Sequence, residues 1–262
     1  MTMTCYWFSG TGNSLHAARR LAEAFPDMRL QAITDRLLAE PPQLEGEVVG
    51  FVFPVYAYGP PPVIQKFIRA AAVGEIGYAF VAMTHGGGPA NATVVTDRLF
   101  RARGLDVSAF FTIRMPSNYV VGSNPVEGEK AAAIFALGEG ELASAQAVLA
   151  AREKRPATSA GVGARFKSGL VFPLFQKGVR TYDKSFFATD ACNGCGTCVA
   201  VCPASNLTLD ETNRPVWGGR CEACLGCINL CPKQAVQTGA LTKSRRRYRH
   251  RDVNLKDLMN RA

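Results

Sequence analysis

Long hydrophobic runs are missing from this 262-residue sequence, although hydrophobic residues make up 47% of its composition. No uninterrupted apolar stretch approaches the roughly 18–20 residues that would span a bilayer. The first four residues also lack a basic region followed by a hydrophobic one, so no export segment is expected. These absences predict a soluble protein with no membrane span.

Cysteine is almost absent outside residues 192–231, which hold eight of the nine cysteines. The ninth, Cys5, lies in an apolar run and is expected to be a small buried hydrophobe. The other eight form two runs with one spacing, C-x-x-C-x-x-C-x-x-x-C-P, which are Cys192, Cys195, Cys198 and Cys202, then Cys221, Cys224, Cys227 and Cys231.

This duplicated spacing is typical of two [4Fe–4S] clusters. Three thiolates at two-residue intervals can bind one cluster, and the fourth cysteine, followed by proline, ligates the other cluster. The spacing therefore predicts that the chain carries electrons. One predicted ligand set is Cys192, Cys195, Cys198 and Cys231, and the other is Cys221, Cys224, Cys227 and Cys202.

Zinc and disulfides explain the cysteines less well. A zinc site needs four ligands as two pairs, which leaves the third and fourth cysteines of each run without a role. A disulfide framework suits small secreted chains, whereas these cysteines are confined to about forty positions of a longer chain. Oxygen-labile clusters also agree with a reducing cytoplasm, where we expect the protein to be.

The formal net charge of +9 raises the question of nucleic-acid binding. Two clusters and one bound phosphate group, each carrying about −2, would lower the net charge of the loaded protein to about +3. Much of the excess lies in the basic run 243–251. Such a run could bind phosphates, but it more often forms a solvated surface or a docking patch for an acidic redox partner. We therefore expect a protein redox partner and no nucleic acid.

The first half of the chain alternates short apolar runs with longer helical patterns, which indicates a parallel sheet covered on both faces. The pattern predicts strands near 4–8, 29–33, 47–53, 77–84 and 107–114, and helices near 13–25, 35–40, 60–72, 91–103 and 125–154. A looser, basic stretch follows. The predicted parts are a domain over 1–154, a connector over 155–185, a cluster domain over 186–240 and a basic tail over 241–262. The aromatics of the connector could lie on a membrane surface, but burial against one or both domains is the favoured expectation.

A hydroxyl-rich turn between the first strand and the first helix predicts an anion site. Free backbone amides and the helix dipole favour negative charge there, and short side chains can reach a phosphate from several sides. No lysine follows the glycines, as a nucleoside-triphosphate loop would require, and Leu15 replaces the third glycine of the dinucleotide fingerprint. A capping turn without a ligand is the remaining alternative. The predicted phosphate residues are Ser9, Gly10, Thr11, Gly12, Asn13 and Ser14.

Two further loops follow the third and fourth strands, at the sheet edge where ligands of parallel sheets bind. Tyr56 or Tyr58 could stack on a flat ring, although either could simply be a half-buried loop aromatic. His85 is expected to be a loop residue or to lie at the ring edge, and no catalytic residue is assigned. The predicted ring-binding residues are Pro54, Val55, Tyr56, Ala57, Tyr58 and Gly59, with Thr84, His85, Gly86, Gly87 and Gly88.

The turn over 8–14 resembles the phosphate loop of flavodoxins. Together with the segments 54–56 and 115–119, the chain is similar to a family in which a flavodoxin-like domain is fused to a bacterial two-cluster ferredoxin. The resemblance implies an α/β fold with a doubly wound, five-stranded parallel sheet, a small α+β ferredoxin domain, and FMN in the loops named above. It adds Tyr119 as a further flavin contact.

The expected function is electron transfer between FMN and the two clusters, to or from a protein partner. FMN can exchange two electrons and release them singly, whereas each cluster passes one electron. The alternative is a reductase whose flavin acts directly on a small molecule or on NAD(P)H. A complete nicotinamide fingerprint and an acid–base pair beside the loops are both missing from the sequence, so the carrier is the favoured hypothesis.

Overall fold

The computed structural model describes residues 2–259, with only the backbone of Arg180. Five strands form one parallel sheet in the order β2-β1-β3-β4-β5, which is the flavodoxin-like doubly wound order. The predicted parallel sheet is therefore confirmed. The strands are β1 (Met3–Trp7), β2 (Arg29–Ala32), β3 (Gln43–Pro54), β4 (Ala72–His85) and β5 (Ala109–Arg114).

Helices cover both faces of the sheet, and each follows a strand as the periodicity predicts. Strand β1 and the central strands are apolar and buried between the two layers of helices, where Cys5 also lies. The predicted burial of Cys5 is thus confirmed. The helices are α1 (Asn13–Ala22), α2 (Asp35–Ala39), α3 (Pro62–Ala70), α4 (Ala92–Arg101) and α5 (Gly128–Ala150).

Helix α5 is the one helix within residues 2–259 that is long and apolar enough, by length and composition, to cross a membrane. Its buried residues, including Phe135, Leu142 and Leu149, recur on one face that packs against β5 and α1. The rest of its surface is rich in exposed alanine. This arrangement is that of a helix packed on a sheet.

The predicted connector, whose sequence shows only a loose pattern, is helical over most of its length. Helix α6 (Val162–Phe166), a π-helical turn (Lys167–Val171), α7 (Phe172–Gly178) and a 3₁₀ segment (Val179–Ser185) follow one another directly. We call residues 162–185 the linker helix. Its inner face is fixed by Ser168, whose hydroxyl donates to the Tyr58 carbonyl and accepts from the Asn91 amide, both at 3.1 Å.

The cluster region is a small unit of two antiparallel strand pairs and two short helices. Strand β6 (Phe186–Ala188) pairs with β9 (Val236–Thr238), and β7 (Leu207–Leu209) pairs with β8 (Pro215–Trp217). Each short helix carries the third cysteine of one run, α8 (Thr197–Ala200) and α9 (Gly226–Asn229). Val201 and Leu230 belong to the same hydrophobic core as the large sheet, so the unit is packed against the first domain.

The basic tail was expected to be a solvated surface or a docking patch, and this is wrong for the residues that pack against the first domain, whereas Lys243, Arg246, Arg249 and Arg251 are exposed as expected. We call residues 241–259, which end in α10 (Leu255–Met259), the strap. Tyr248, His250 and Val253 are buried against the first domain. Arg245 donates to the carbonyl of Val120 at 2.6 Å, so part of the positive charge holds a loop.

Candidate flavin and iron–sulfur sites

The turn after β1 is held by hydrogen bonds within the turn and to the strap. The Gly12 amide donates to the Ser9 hydroxyl at 3.0 Å, and the His250 amide donates to the Thr11 carbonyl at 2.9 Å. Gly12 has φ 106°, a left-handed conformation that favours glycine, and a Cβ there would meet His250. The turn therefore has one side against the strap, and the residues on its other side line a cavity.

A cavity of about 810 Å³ lies at the carboxyl edge of the sheet, beside this turn. Its volume is in the range of small-molecule and cofactor sites. Sixteen predicted residues line it, and Gly12 and Gly59 do not, because Gly12 faces the strap and a Cβ on Gly59 would meet the Phe172 ring. The lining predicted residues are Ser9, Gly10, Thr11, Asn13, Ser14, Pro54, Val55, Tyr56, Ala57, Tyr58, Thr84, His85, Gly86, Gly87, Gly88 and Tyr119.

The loop after β3 is a tight two-residue turn. The backbone groups of Tyr56 and Gly59 exchange two hydrogen bonds, of 2.9 and 3.0 Å, which forces Ala57 and Tyr58 to positive φ of 46° and 71°. Non-glycine residues in this region carry a cost of order 1 kcal/mol each. Backbone strain of this kind is concentrated at ligand sites, and here it presents both side chains to the cavity.

The rings of the two candidate stacking tyrosines already contact other side chains of the folded protein. The Tyr56 ring makes edge contacts with Phe8 and Phe175, at centroid distances of 6.4 and 6.3 Å. The Lys167 ammonium lies 5.8 Å from the Tyr58 ring centroid. Lys167 and Phe175 belong to the linker helix, so this helix forms one wall of the cavity.

The end of β4 brings polar groups to the cavity. Burial and the nearby Arg114 lower the pKa of His85 to about 4, so its imidazole is neutral near pH 7. Its Nδ1 is buried, and among the described residues it has no hydrogen-bond partner. The Ser14 hydroxyl lies 2.8 Å from that of Thr84 and links the turn to the end of β4. A buried polar atom without a partner fits a site that a ligand completes.

Asn13 is predicted as a phosphate ligand, but both ends of its side-chain amide are occupied. Its nitrogen donates to the Pro116 carbonyl at 2.9 Å, and its oxygen accepts from the Tyr248 hydroxyl at 2.6 Å. Asn13 thus joins the turn to a loop and to the strap. The donors that remain for a phosphate are the backbone amides of α1 and the short hydroxyls of the turn.

The eight cysteines of the two runs are brought together in two groups. Each group lines a separate small cavity and combines three cysteines of one run with the last cysteine of the other. This is the crossed grouping that the spacing predicts. One cavity is lined by Cys202, Cys221, Cys224 and Cys227, and the other by Cys192, Cys195, Cys198 and Cys231.

The second cysteine loop, residues 221–227, forms part of the wall of the large cavity, and we call it the cavity-side loop. Ala223 and Leu225, on either side of Cys224, line the large cavity. The Asn118 amide donates to the Cys224 carbonyl at 3.3 Å, and Gly10 packs so closely on that carbonyl that a Cβ would clash. The predicted phosphate turn and this cysteine loop are therefore in direct contact.

The first cysteine loop, residues 192–198, lies farther from the cavity, and we call it the outer loop. Cys195 is exposed, and the Thr197 hydroxyl 3.3 Å away lowers the pKa of its thiol. Burial instead raises the pKa of Cys198 to about 11. Thiolates bind iron, so loading such a buried site releases protons.

Several cavity residues were not predicted from the sequence. They come from the linker helix, the cavity-side loop and the segment after β5, which meet only in the folded chain. The segment 115–119 carried a signal through the flavodoxin-like resemblance, whereas the linker helix and Leu225 carried none. The main additional residues are Pro116, Ser117, Asn118, Lys167, Phe175, Tyr182, Ala223 and Leu225.

Residues 184–232 match the protein family described as 4Fe-4S dicluster domain. The chain joins a flavodoxin-like domain to a 4Fe–4S dicluster domain. A ferredoxin from Pyrobaculum islandicum (strain DSM 4184 / JCM 9189 / GEO3) is 37% identical over 57 residues, which are 21% of this chain. Those residues correspond to 52% of that ferredoxin, so the chain spans about half the length of the curated relative.

Solved structures similar to the chain cover its first part at low sequence identity. A Trp repressor binding protein from Bacillus subtilis is 14% identical over 56% of this chain and 97% of its own, with a TM-score of 0.39. An azoreductase from Bacillus anthracis str. Sterne is 15% identical over 58% of this chain and 100% of its own, with a TM-score of 0.37. The flavodoxin of Megasphaera elsdenii is 14% identical over 54% of this chain and 99% of its own, with a TM-score of 0.32.

Proposed function

We propose that the chain passes electrons between FMN and two [4Fe–4S] clusters. A dicluster domain beside a flavodoxin-like domain already indicates electron transfer, with iron–sulfur and flavin cofactors. The observation that carries the finer proposal is the shared wall: Leu225 and Ala223 line the large cavity and flank Cys224. A flavin in that cavity would lie directly beside one cluster.

The residues at the cavity fit FMN. The amino end of α1, together with Ser9, Thr11 and Ser14, offers amides and hydroxyls for the phosphate. Tyr56 and the glycines 86–88 border the space for the ring. Asn13 positions the turn through Pro116 and Tyr248. When bound, FMN would supply a two-electron centre that exchanges single electrons with the clusters.

The two clusters have different roles in this proposal. The cluster held by Cys221, Cys224, Cys227 and Cys202 is the inner one, next to the flavin. The cluster held by Cys192, Cys195, Cys198 and Cys231 is the outer one, next to solvent. Because Cys195 is exposed and Lys233 is the nearby cation, we place the docking site of an acidic redox partner at the outer loop. Labile clusters suit a cytoplasmic location.

Cofactor content tests the proposal directly. Purification under anaerobic conditions should give about eight iron atoms and one FMN per chain, since each [4Fe–4S] cluster holds about four irons. A redox titration followed by absorbance should then resolve the flavin and the clusters. Four iron atoms per chain, or no flavin, would contradict the proposal.

The open side of the cavity favours a second candidate function, a flavin-dependent reductase. Apart from their chain neighbours, no described residue has an atom within 4 Å of a Cβ placed on Gly87 or Gly88, so the space beside these cavity-lining glycines is open. A small molecule or NAD(P)H could approach the ring there. Sustained turnover of purified protein with NAD(P)H or quinones, without a protein partner, would favour the reductase over the carrier.

A further inference from the structure

The linker helix carries an exposed apolar stripe on the face away from the flavin cavity. Residues spaced by four lie on one side of a helix. Val162 is 81% exposed, Phe166 67%, Leu170 48% and Leu174 59%. At 1.5 Å per residue the stripe is about 18 Å long. The expectation that the connector buries its aromatics is therefore wrong for Phe166.

The inner face of the helix explains why the stripe stays outside. Ser168 and Phe172 are buried, with Phe172 against Gly59, and Lys167 and Phe175 line the cavity. These contacts fix the rotation of the helix about its axis. The stripe cannot turn inward without breaking the cavity wall, so it needs another partner to leave water.

Charge along the same segment points to the chemistry of that partner. Residues 154–182 contain six lysines or arginines and no aspartate or glutamate. Arg165, within the span of the stripe, and Lys177, three residues beyond its end, are both exposed. Apolar residues with basic neighbours and no acidic ones are the composition of helices that lie in the surface of an anionic bilayer.

We propose that the linker helix docks the protein on an anionic lipid surface, with Phe166, Leu170 and Leu174 inserted among the headgroups. A second copy of the chain is a poorer occupant. A two-fold contact would bring the same basic, acid-free segment of both copies together, and like charges repel. Docking on lipid pairs this charge with phosphate instead. Since the helix is also a cavity wall, docking would hold the cavity at the bilayer surface.

Cosedimentation of the purified holoprotein with vesicles tests this proposal. We expect binding to vesicles of phosphatidylglycerol and phosphatidylcholine, much weaker binding to phosphatidylcholine alone, and weaker binding at high salt. Phe166→Ser with Leu174→Ser should reduce the partition coefficient roughly tenfold or more through lost apolar insertion. Arg165→Gln with Lys177→Gln should reduce it roughly thirtyfold on anionic vesicles.

The chain offers a matched control for the apolar pair. Leu137 is 63% exposed and Leu241 is 65% exposed, and both lie outside the stripe. Leu137→Ser with Leu241→Ser should bind vesicles like the unchanged protein. The absorbance spectrum of every variant checks that the cofactors are retained.

Three results would overturn the proposal. The first is that the unchanged protein does not sediment with anionic vesicles. The second is equal binding to both kinds of vesicle, and the third is an equal loss in the control pair. If sedimentation velocity shows a dimer that Phe166→Ser disrupts, while vesicles leave the protein unbound, a second copy covers the stripe.

Discussion

The two cysteine loops share one spacing and differ in the residues between the cysteines. The outer loop has glycine at 194 and 196, with φ of 70° and 72°. The equivalent residues of the cavity-side loop are Ala223 and Leu225, with φ of 53° and 57°. Glycine takes this conformation without strain, whereas alanine and leucine do not. The cavity-side loop therefore has a strained backbone at Ala223 and Leu225, whose side chains form part of the cavity wall.

Burial differs between the loops in the same sense. Cys195 of the outer loop is exposed, whereas its equivalent in the cavity-side loop, Cys224, is buried; the third cysteines, Cys198 and Cys227, are buried in both loops. Glu222, also buried, pairs with Lys66 of α3. The cavity-side loop is thus turned to the flavodoxin-like domain, whereas the outer loop presents Cys195 to solvent.

The largest expected effect comes from substituting the two crossed cysteines, Cys202 and Cys231, one at a time. Cys202→Ser should remove or alter the inner cluster, and Cys231→Ser the outer one, because each residue belongs to the group of the other run. Each variant should keep about four iron atoms per chain, with different residual spectra. If Cys202→Ser damaged only the site at 192–198, the crossed pairing would be refuted.

Gly10→Ala should disrupt the contact that sets the cavity-side loop apart. A Cβ at this position meets the Cys224 carbonyl, which is backbone and cannot turn aside. We expect a loss of about 1–3 kcal/mol in the free energy of unfolding and weaker FMN binding. Thermal unfolding and flavin titration measure the two effects.

Gly140→Ala is the control for Gly10→Ala. Gly140 is exposed on α5 with no described atom within 4 Å of an added Cβ. Alanine favours helix, so this variant should be as stable as the unchanged protein or slightly more so. Equal behaviour of the two variants would remove the argument for a tight contact at Gly10.

Leu225→Gly tests whether the Leu225 side chain in the cavity wall matters more for FMN binding than the backbone strain at this residue. Glycine relieves roughly 1 kcal/mol of backbone strain but removes a buried side chain from the cavity. FMN affinity should fall roughly tenfold, consistent with the loss of part of the apolar contact of one leucine. Isothermal titration with FMN measures this change.

The matched substitution in the outer loop is Gly196→Ala, which adds left-handed strain at a residue that does not line the large cavity. It should lower stability by roughly 1 kcal/mol and leave FMN affinity unchanged. A fall in FMN affinity equal to that of Leu225→Gly would mean that both loops act on the cavity alike.

The smallest expected effect is a weaker attachment of the strap at low pH. Burial and the stacked His16 lower the pKa of His250 to about 4. In a detached strap the imidazole would titrate near its ordinary value of about 6.5. Protons therefore favour the detached strap, and attachment is full above about pH 6.5 and weakens as the pH falls towards 4.

Amide hydrogen exchange measures this attachment, once the exchange rates are corrected for the intrinsic dependence of amide exchange on pH. The His250 amide, bonded to Thr11, should lose protection below about pH 6.5. The Val199 amide, bonded to Gly196 in the outer loop, should not follow it. Constant protection of His250 between pH 7 and pH 5 would contradict the sign of this effect.

The sequence predicted those parts of the molecule that depend on local pattern. All five large strands were predicted, since buried parallel strands are short apolar runs with turn residues at their ends. The turn after β1 and the loops after β3 and β4 also follow from local residues at strand ends. Cysteine spacing predicted which thiols come together, because the motif itself encodes the crossing.

Features that depend on contacts between distant segments were missed. Gly161, Gly163 and Gly169 weaken the helical pattern of the linker, and its contacts with Tyr58, Asn91 and Gly59 come from the folded domain. The basic run resembled a solvated tail because carbonyl acceptors such as that of Val120 leave no mark in the sequence. Leu225 looked like any residue between cysteines until its cavity was visible.

The central claim is that the cavity-side cluster lies between the flavin and the outer cluster. It is tested most directly by the rate at which electrons leave the photoreduced flavin for the iron–sulfur centres in Cys231→Ser and in Cys202→Ser. We predict fast transfer in Cys231→Ser, which keeps the inner cluster, and much slower transfer in Cys202→Ser. Equal rates, or the reverse order, would contradict the account.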